Sequence, residues 1–186
     1  MSHEQRQYFW AALAALMLAL SPAGFAEKPG KGVLQNFESD NGTEGEYYTQ
    51  VWNCAVDFES KKVHSGNRSI KMDAVENGGT VGIKLIGHQG QVDLSKAKKI
   101  SLWVYDPQGE NTVELRLKDA NGVGGSGLDG LSLWSTEKVR QNAWTKVVWE
   151  LKKYPQVEGL DKTKISSIEI YEQHAGTYYF DDLEVE

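Results

Sequence analysis

From residue 33 onward the chain runs in short stretches in which apolar and polar side chains alternate, punctuated by Gly, Asn, Asp and Pro. A period of two puts alternate side chains on opposite faces of an extended segment, so each stretch predicts a strand with one dry face. Ile100, Leu102 and Val104 share one parity against Ser101, Trp103 and Tyr105, and Asp106-Pro107-Gln108-Gly109 closes the strand. Val113, Leu115 and Leu117 then alternate with Glu114, Arg116 and Lys118 before the turn Asp119-Ala120-Asn121-Gly122. Val33 to Glu38, Thr49 to Glu59, Ser69 to Ala74, Thr80 to Ile86, Leu131 to Trp134, Ala143 to Leu151, Ile165 to Tyr171 and Thr177 to Val185 complete a set of about ten strands. In Ala143 to Leu151 either face can be the buried one. Trp144 and Trp149, on opposite parities there, both read as core residues, and a helical turn is expected only at Leu160-Asp161-Lys162. The pattern predicts an all-β, two-sheet antiparallel β-sandwich, with a closed barrel as the rival architecture.

The first residues follow another rule. Arg6 precedes an apolar run from Phe9 to Leu20, and Ser21-Pro22-Ala23-Gly24-Phe25-Ala26 offers small residues after it. That run is short for a membrane span and right for a signal peptide, so residues 1–26 are expected to be removed after Ala26. Residues 27–32 read as a flexible leader and 33–186 as a single domain, in a secreted or periplasmic protein with no membrane contact after cleavage.

Charge and reactive side chains narrow the function. The formal net charge of −6 and the lack of a Lys/Arg stripe argue against nucleic acid. Lys96, Lys98 and Lys99 are the densest basic cluster, read as a solvated turn rather than an anion site. Cys54 is the only cysteine, which excludes an internal disulfide, and its apolar neighbours make it a buried inert thiol. No nucleophile-elbow, zincin, Walker-type or dinucleotide motif occurs, and His64, His88 and His174 are scattered. An acidic pair at glycosidase spacing arises too easily by chance to count, so the chain is read as no enzyme.

Several stretches, taken in order, carry a resemblance: Leu34-Gln35-Asn36-Phe37-Glu38, Ser65-Gly66-Asn67-Arg68-Ser69-Ile70-Lys71, Ile100 to Tyr105, Trp144-Thr145-Lys146-Val147, and Thr177 to Val185 with its Phe180-Asp181-Asp182-Leu183-Glu184-Val185. Together they resemble the β-jelly-roll carbohydrate-binding modules of the galactose-binding-like superfamily, which often accompany plant-polysaccharide hydrolases. The resemblance implies a jelly roll, a polysaccharide or oligosaccharide ligand, and an extracellular glycoside hydrolase acting nearby. It also implies a structural calcium, with Glu38 and Asp181 as its matched ligands and Asp40 or the backbone oxygens of Ser65 and Asn67 as weaker candidates. The alternative for Asp181 is a carboxylate that accepts backbone hydrogen bonds without metal. Parity places Asp181 on the face of Leu183 and Val185, while Asp182 is expected in solvent.

Sugar rings stack their C–H faces on aromatic rings and offer hydroxyls to carboxylates, amides and guanidinium groups. Trp103 and Tyr105 lead as stackers because their strand already has a complete inner face. Arg116 and Glu114 supply hydroxyl contacts if the two outer faces adjoin, and Tyr171 with Glu169 repeats the combination beside Ile168 and Ile170. Trp52, Tyr47, Tyr48 and Trp134 are edge or loop aromatics that extend a site. The reading is noncatalytic glycan binding; the alternative is a structural or adhesion domain that binds another protein. Two aromatic side chains open along one groove would separate them.

Overall fold

The computed structural model describes residues 32–38, 48–84, 91–124, 132–154 and 157–186. The expected signal peptide, Asp40, Tyr47, His88 and nearly all of the leader lie outside the described residues, as does the side chain of Tyr48. The described strands are β1 (Gly32–Gln35), β2 (Tyr48–Trp52), β3 (Cys54–Glu59), β4 (Ser69–Ala74), β5 (Gly79–Lys84), β6 (Lys99–Tyr105), β7 (Glu114–Asp119), β8 (Leu133–Trp134), β9 (Trp144–Glu150), β10 (Ile165–Glu172) and β11 (Gly176–Val185). One sheet runs β3-β4-β11-β6-β9, with β1 also on β11, and the other runs β2-β5-β10-β7-β8. Every pairing is antiparallel. This is the expected two-sheet sandwich, not the barrel.

The core lies between the sheets and takes one parity from each strand. Ile70, Met72, Ile100, Leu102, Val104, Val147, Trp149, Tyr178 and Phe180 from the first sheet meet Val81, Ile83, Leu115, Leu117, Ile168 and Ile170 from the second, all buried. In β9 the ambiguity resolves toward Thr145, Val147 and Trp149, which point inward. Trp144, expected in the core, lies instead half-buried on the outside. Cys54 packs at the rim of the core and its Sγ donates to the Thr80 carbonyl at 3.4 Å. Burial pushes its thiol up, as an inert cysteine requires.

Three local features depart from the alternation. The single strand expected over Thr49 to Glu59 breaks at Asn53, whose φ of 55° is one that Asn tolerates. The Asn53 amide donates to the carbonyls of Glu76 and Gly78 at 2.9 and 2.7 Å, fixing a corner that passes the chain from one sheet to the other. A second break is the bulge in β11, where the register against β6 shifts between Asp181 and Glu184 and Asp182 has φ 46°. The extra residue reverses parity. Asp181 therefore pairs with Trp103 on the outer side, not with Leu183 and Val185 on the inner side as strict alternation predicted.

The third departure concerns β6 and β7, consecutive in the chain but in different sheets. Their outer faces do not adjoin; they are the two opposite exteriors of the sandwich. The expected partnership of Trp103 and Tyr105 with Glu114 and Arg116 is thereby corrected.

Candidate functional site

Directly opposed residues on antiparallel strands project from the same face. In the second sheet the registers Trp52 with Thr80, Thr80 with Tyr171, Tyr171 with Glu114, and Glu114 with Trp134 compose one continuous row across all its strands. With neighbouring strands roughly 4.8 Å apart, the row spans about 19 Å from Trp52 to Trp134. Both tryptophans are open to solvent, Trp52 at 55% and Trp134 at 39% exposure, although each is large and apolar. Between them Tyr171 is half-buried and meets Trp134 edge to face at 6.2 Å.

The next row holds Gly82, Glu169 and Arg116. Arg116 Nε donates to Glu114 Oε1 at 2.5 Å, and its guanidinium lies 4.8 Å from the centre of the Tyr171 ring. The ion pair and the ring contact hold three of the expected site residues in one rigid group. Glu169 is fully buried, and neither carboxylate oxygen has a hydrogen-bond partner among the described residues. Burial pushes its pKa up, the charges of Lys118 and Arg116 oppose this, and Glu114 adds to it. Four expected site residues, Glu114, Arg116, Glu169 and Tyr171, are thus brought together on one face. Trp52 and Trp134, expected only as extensions, form its exposed ends; the Asn53 corner that ends the strand of Trp52 leaves no signature in alternation.

Trp103 and Tyr105 lie on the other exterior. The imidazole of His64 stacks on Trp103 at 3.8 Å and 18° between planes, and Lys62 sits 4.1 Å over the Tyr105 ring. Trp144 and Tyr179 meet the Tyr105 ring edge at 5.7 and 5.8 Å. One face of each leading stacker is covered by the 61–68 segment, which disfavours both as ligand platforms.

That segment is pinned by the residues expected to bind metal. Asp181 Oδ2 accepts from the amides of His64 and Ser65 at 2.9 and 3.1 Å, and its Oδ1 accepts from the Asp182 amide at 2.9 Å. Burial pushes the Asp181 carboxyl up to about 6, the Ser65 amide pulls it down, and the Asp182 charge raises it. Asp182, expected in solvent, is partly buried, with its Oδ2 2.8 Å from His64 Nδ1 and its Oδ1 accepting from Ser65 Oγ at 3.0 Å. His64, Asp181 and Asp182 offer ligand atoms within 4.8 Å of one another, a cluster able to coordinate a metal ion. Glu38 is not among them: its carboxylate accepts from the Asn67 and Arg68 amides at 2.9 and 3.0 Å. A side chain at Gly66, whose φ is 63°, would collide with it.

No protein-family model matches the chain, and no curated protein matches it. Among solved structures it is similar to the family 11 carbohydrate-binding module of the cellulosomal cellulase Lic26A-Cel5E of Clostridium thermocellum, at TM-score 0.55 and 16% identity over 84% of this chain and 94% of that one. A Clostridium thermocellum family 11 module in complex with a β-1,3-1,4-mixed-linked tetrasaccharide matches at TM-score 0.55 and 16% identity, over 83% and 94%. The family 30 module of the Clostridium thermocellum cellulosomal cellulase Cel9D-Cel44B matches at TM-score 0.52 and 14% identity, over 86% and 94%. At these identities the likeness is one of fold: the chain is an all-β, two-sheet antiparallel sandwich with the jelly-roll architecture of carbohydrate-binding modules.

Proposed function

We propose that the protein is an exported, noncatalytic carbohydrate-binding module that holds a linear polysaccharide on the outer face of the β2-β5-β10-β7-β8 sheet. The observation that carries this reading is the in-register row with two exposed tryptophans at its ends and Tyr171 between them. A protein whose aromatics served only packing would have no reason to leave both rings in water. Arg116, in the adjoining row and braced by Glu114, offers the polar contacts that sugar hydroxyls demand, while Glu169 lies buried beneath. The fold shared with a module solved on a mixed-linked β-glucan fragment makes β-glucans the first class to test. A glycoside hydrolase acting on the same polysaccharide is the expected neighbour.

Native gels cast with soluble glucans, xylans, mannans and galactans test the reading. Burial of roughly 100 Å² of apolar surface per stacked sugar contributes about 2.5 kcal/mol before ordering costs. Trp52→Ala and Tyr171→Ala are each expected to weaken binding by about tenfold or more, whereas Trp103→Ala leaves it unchanged. Loss on Trp103→Ala alone would move the site to the opposite sheet. No retardation by any glycan, with the fold intact, would return the protein to the adhesion class.

The metal cluster has a nitrogen donor, and its carboxylate oxygens already accept hydrogen bonds. Calcium takes six to eight oxygens, whereas imidazole suits zinc and its neighbours, so the residues present fit the calcium implied by the resemblance poorly. Zinc is expected to raise the melting temperature of the full chain, and calcium to leave it unmoved. A ligand at about one hundred times its dissociation constant stabilises by about 2.7 kcal/mol. Asp182→Asn is expected to abolish the zinc response; an equal response to calcium would restore the oxygen-site reading.

A further inference from the structure

The lysines around residue 98, read from the sequence as a solvated turn, stand at the mouth of a cavity of about 530 Å³. Its floor is aliphatic, made by Leu94, Leu117 and Leu151, all of them buried. Lys98, Lys99, Lys152 and Lys162 also line it. They come from three separate segments stitched together by backbone hydrogen bonds. Leu151 N donates to the Lys98 carbonyl at 2.9 Å, and Leu94 N donates to the Lys162 carbonyl at 2.8 Å. The convergence of charge is therefore built by the fold, not left to a wandering loop.

Three of these four cations lack a close carboxylate. Lys71, Lys118, Lys138, Lys146 and Lys164 each have a carboxylate within 4.0 Å. Lys98, Lys99 and Lys162 have none at that distance among the described residues, and Glu150, the one carboxylate in the lining, is shared by Lys152 and Lys153 at 3.3 Å each. An unbalanced cationic rim on a chain of formal net charge −6 marks a local demand for negative charge. Lys99 also reaches a neighbouring cavity, where Glu184 and Glu186 face it and Lys146, so the cationic excess belongs to the first cavity, an open trough at the end of the first sheet.

We propose that this trough binds an anionic glycan, a short run of uronate sugars whose carboxylates meet the lysines while ring C–H faces rest on the leucines. Several unpaired cations along an open trough fit a ligand carrying several charges better than a single carboxylate. No aromatic ring lines either cavity to stack the bases of a nucleic acid. The site lies apart from the Trp52–Trp134 row and stands or falls independently of it.

Isothermal titration of the full chain with a galacturonate tetramer tests this, run at low and at physiological ionic strength. Binding is expected, weakening about tenfold between the two conditions as salt screens the exposed charges. Lys98→Ala/Lys162→Ala should reduce affinity by about tenfold or more without changing the circular dichroism spectrum. Trp52→Ala should leave it unaltered, which separates this site from the glucan groove. No binding by the parent chain, or binding indifferent to the double replacement, would overturn the proposal. So would capture by phosphatidylglycerol vesicles with none of the tetramer, since that would assign the lysines to a lipid surface.

Discussion

Trp149→Ala is expected to lower the unfolding free energy by about 3–5 kcal/mol, the range for removing a large aromatic from a core. Trp149 is 1% exposed on an edge strand of the first sheet, and its indole Nε1 donates to the Val113 carbonyl at 3.1 Å, at the entry to β7 of the second. It thus fills the space between the sheets and ties them with a directional bond. Domains of this size are stable by about 5–15 kcal/mol, so the loss removes a large share of the total. Trp149→Phe should cost much less, because the Val113 carbonyl keeps its second donor, the Ser135 amide at 2.8 Å. A lost hydrogen bond of this kind is worth about 1 kcal/mol. Urea unfolding of the three proteins, with Trp144→Ala as an outer-face control, makes the comparison. If Trp149→Ala cost no more than Trp144→Ala, the assignment of the inner face of β9 would be wrong.

That face illustrates what the sequence made legible. Where hydrophobicity alternates cleanly, as in β6 and β7, the inner residues Ile100, Leu102, Val104, Leu115 and Leu117 are all fully buried, as their parity predicts. In β9 both parities carry a tryptophan and a valine, so local pattern has nothing to choose with; the choice comes from the Val113 carbonyl, distant in sequence. Sheet membership is invisible for the same reason. Nothing in residues 100–118 records that β6 and β7 belong to opposite sheets, and that fact splits Trp103 and Tyr105 from Glu114, Arg116, Glu169 and Tyr171. The exposed end of the candidate groove at Trp52 was harder still, because the expected strand stops there at the left-handed corner of Asn53, and Trp52 takes its direction from its register with Thr80. A one-residue bulge after Asp181 turns Leu183 and Val185 inward and leaves Asp181 on the outer side. Each is a single backbone conformation that shifts every side chain after it, and alternation assumes that none occurs.

Stability is expected to peak in mildly acidic solution and to fall as the pH rises toward neutrality, with Glu172 the principal cause. Glu172 shares its parity in β10 with Ile168 and Ile170, opposite Gly79, and points into the core. Neither of its oxygens has a hydrogen-bond partner among the described residues. Burial pushes its pKa well above the ordinary 4.5, and the charge of Asp106 adds to the effect. Asp106 itself is also buried, but it is satisfied by the Gln108 amide and the Asn111 side chain, both at 2.7 Å. The sign follows from linkage: a carboxyl whose folded pKa is raised contributes fully below its unfolded value, and that contribution is lost as the pH climbs toward the folded one. Within that window the loss is about 1.4 kcal/mol per pH unit. Asp181, raised from 3.8 to about 6, acts in the same direction. Asp119 acts in the opposite one: burial pushes it up, but the amides of Asp161, Val123 and Asn121 prevail and hold it below 3.8, so its contribution fails only in stronger acid. The maximum therefore lies between these regimes. Glu172→Gln, which keeps the shape and cannot ionise, should match the parent near pH 4.5 and exceed it increasingly above. Melting temperatures followed by circular dichroism across that range provide the check. Parallel profiles for the two proteins would mean that Glu172 is charged in the folded state, with a compensating cation that the core does not show among its described residues.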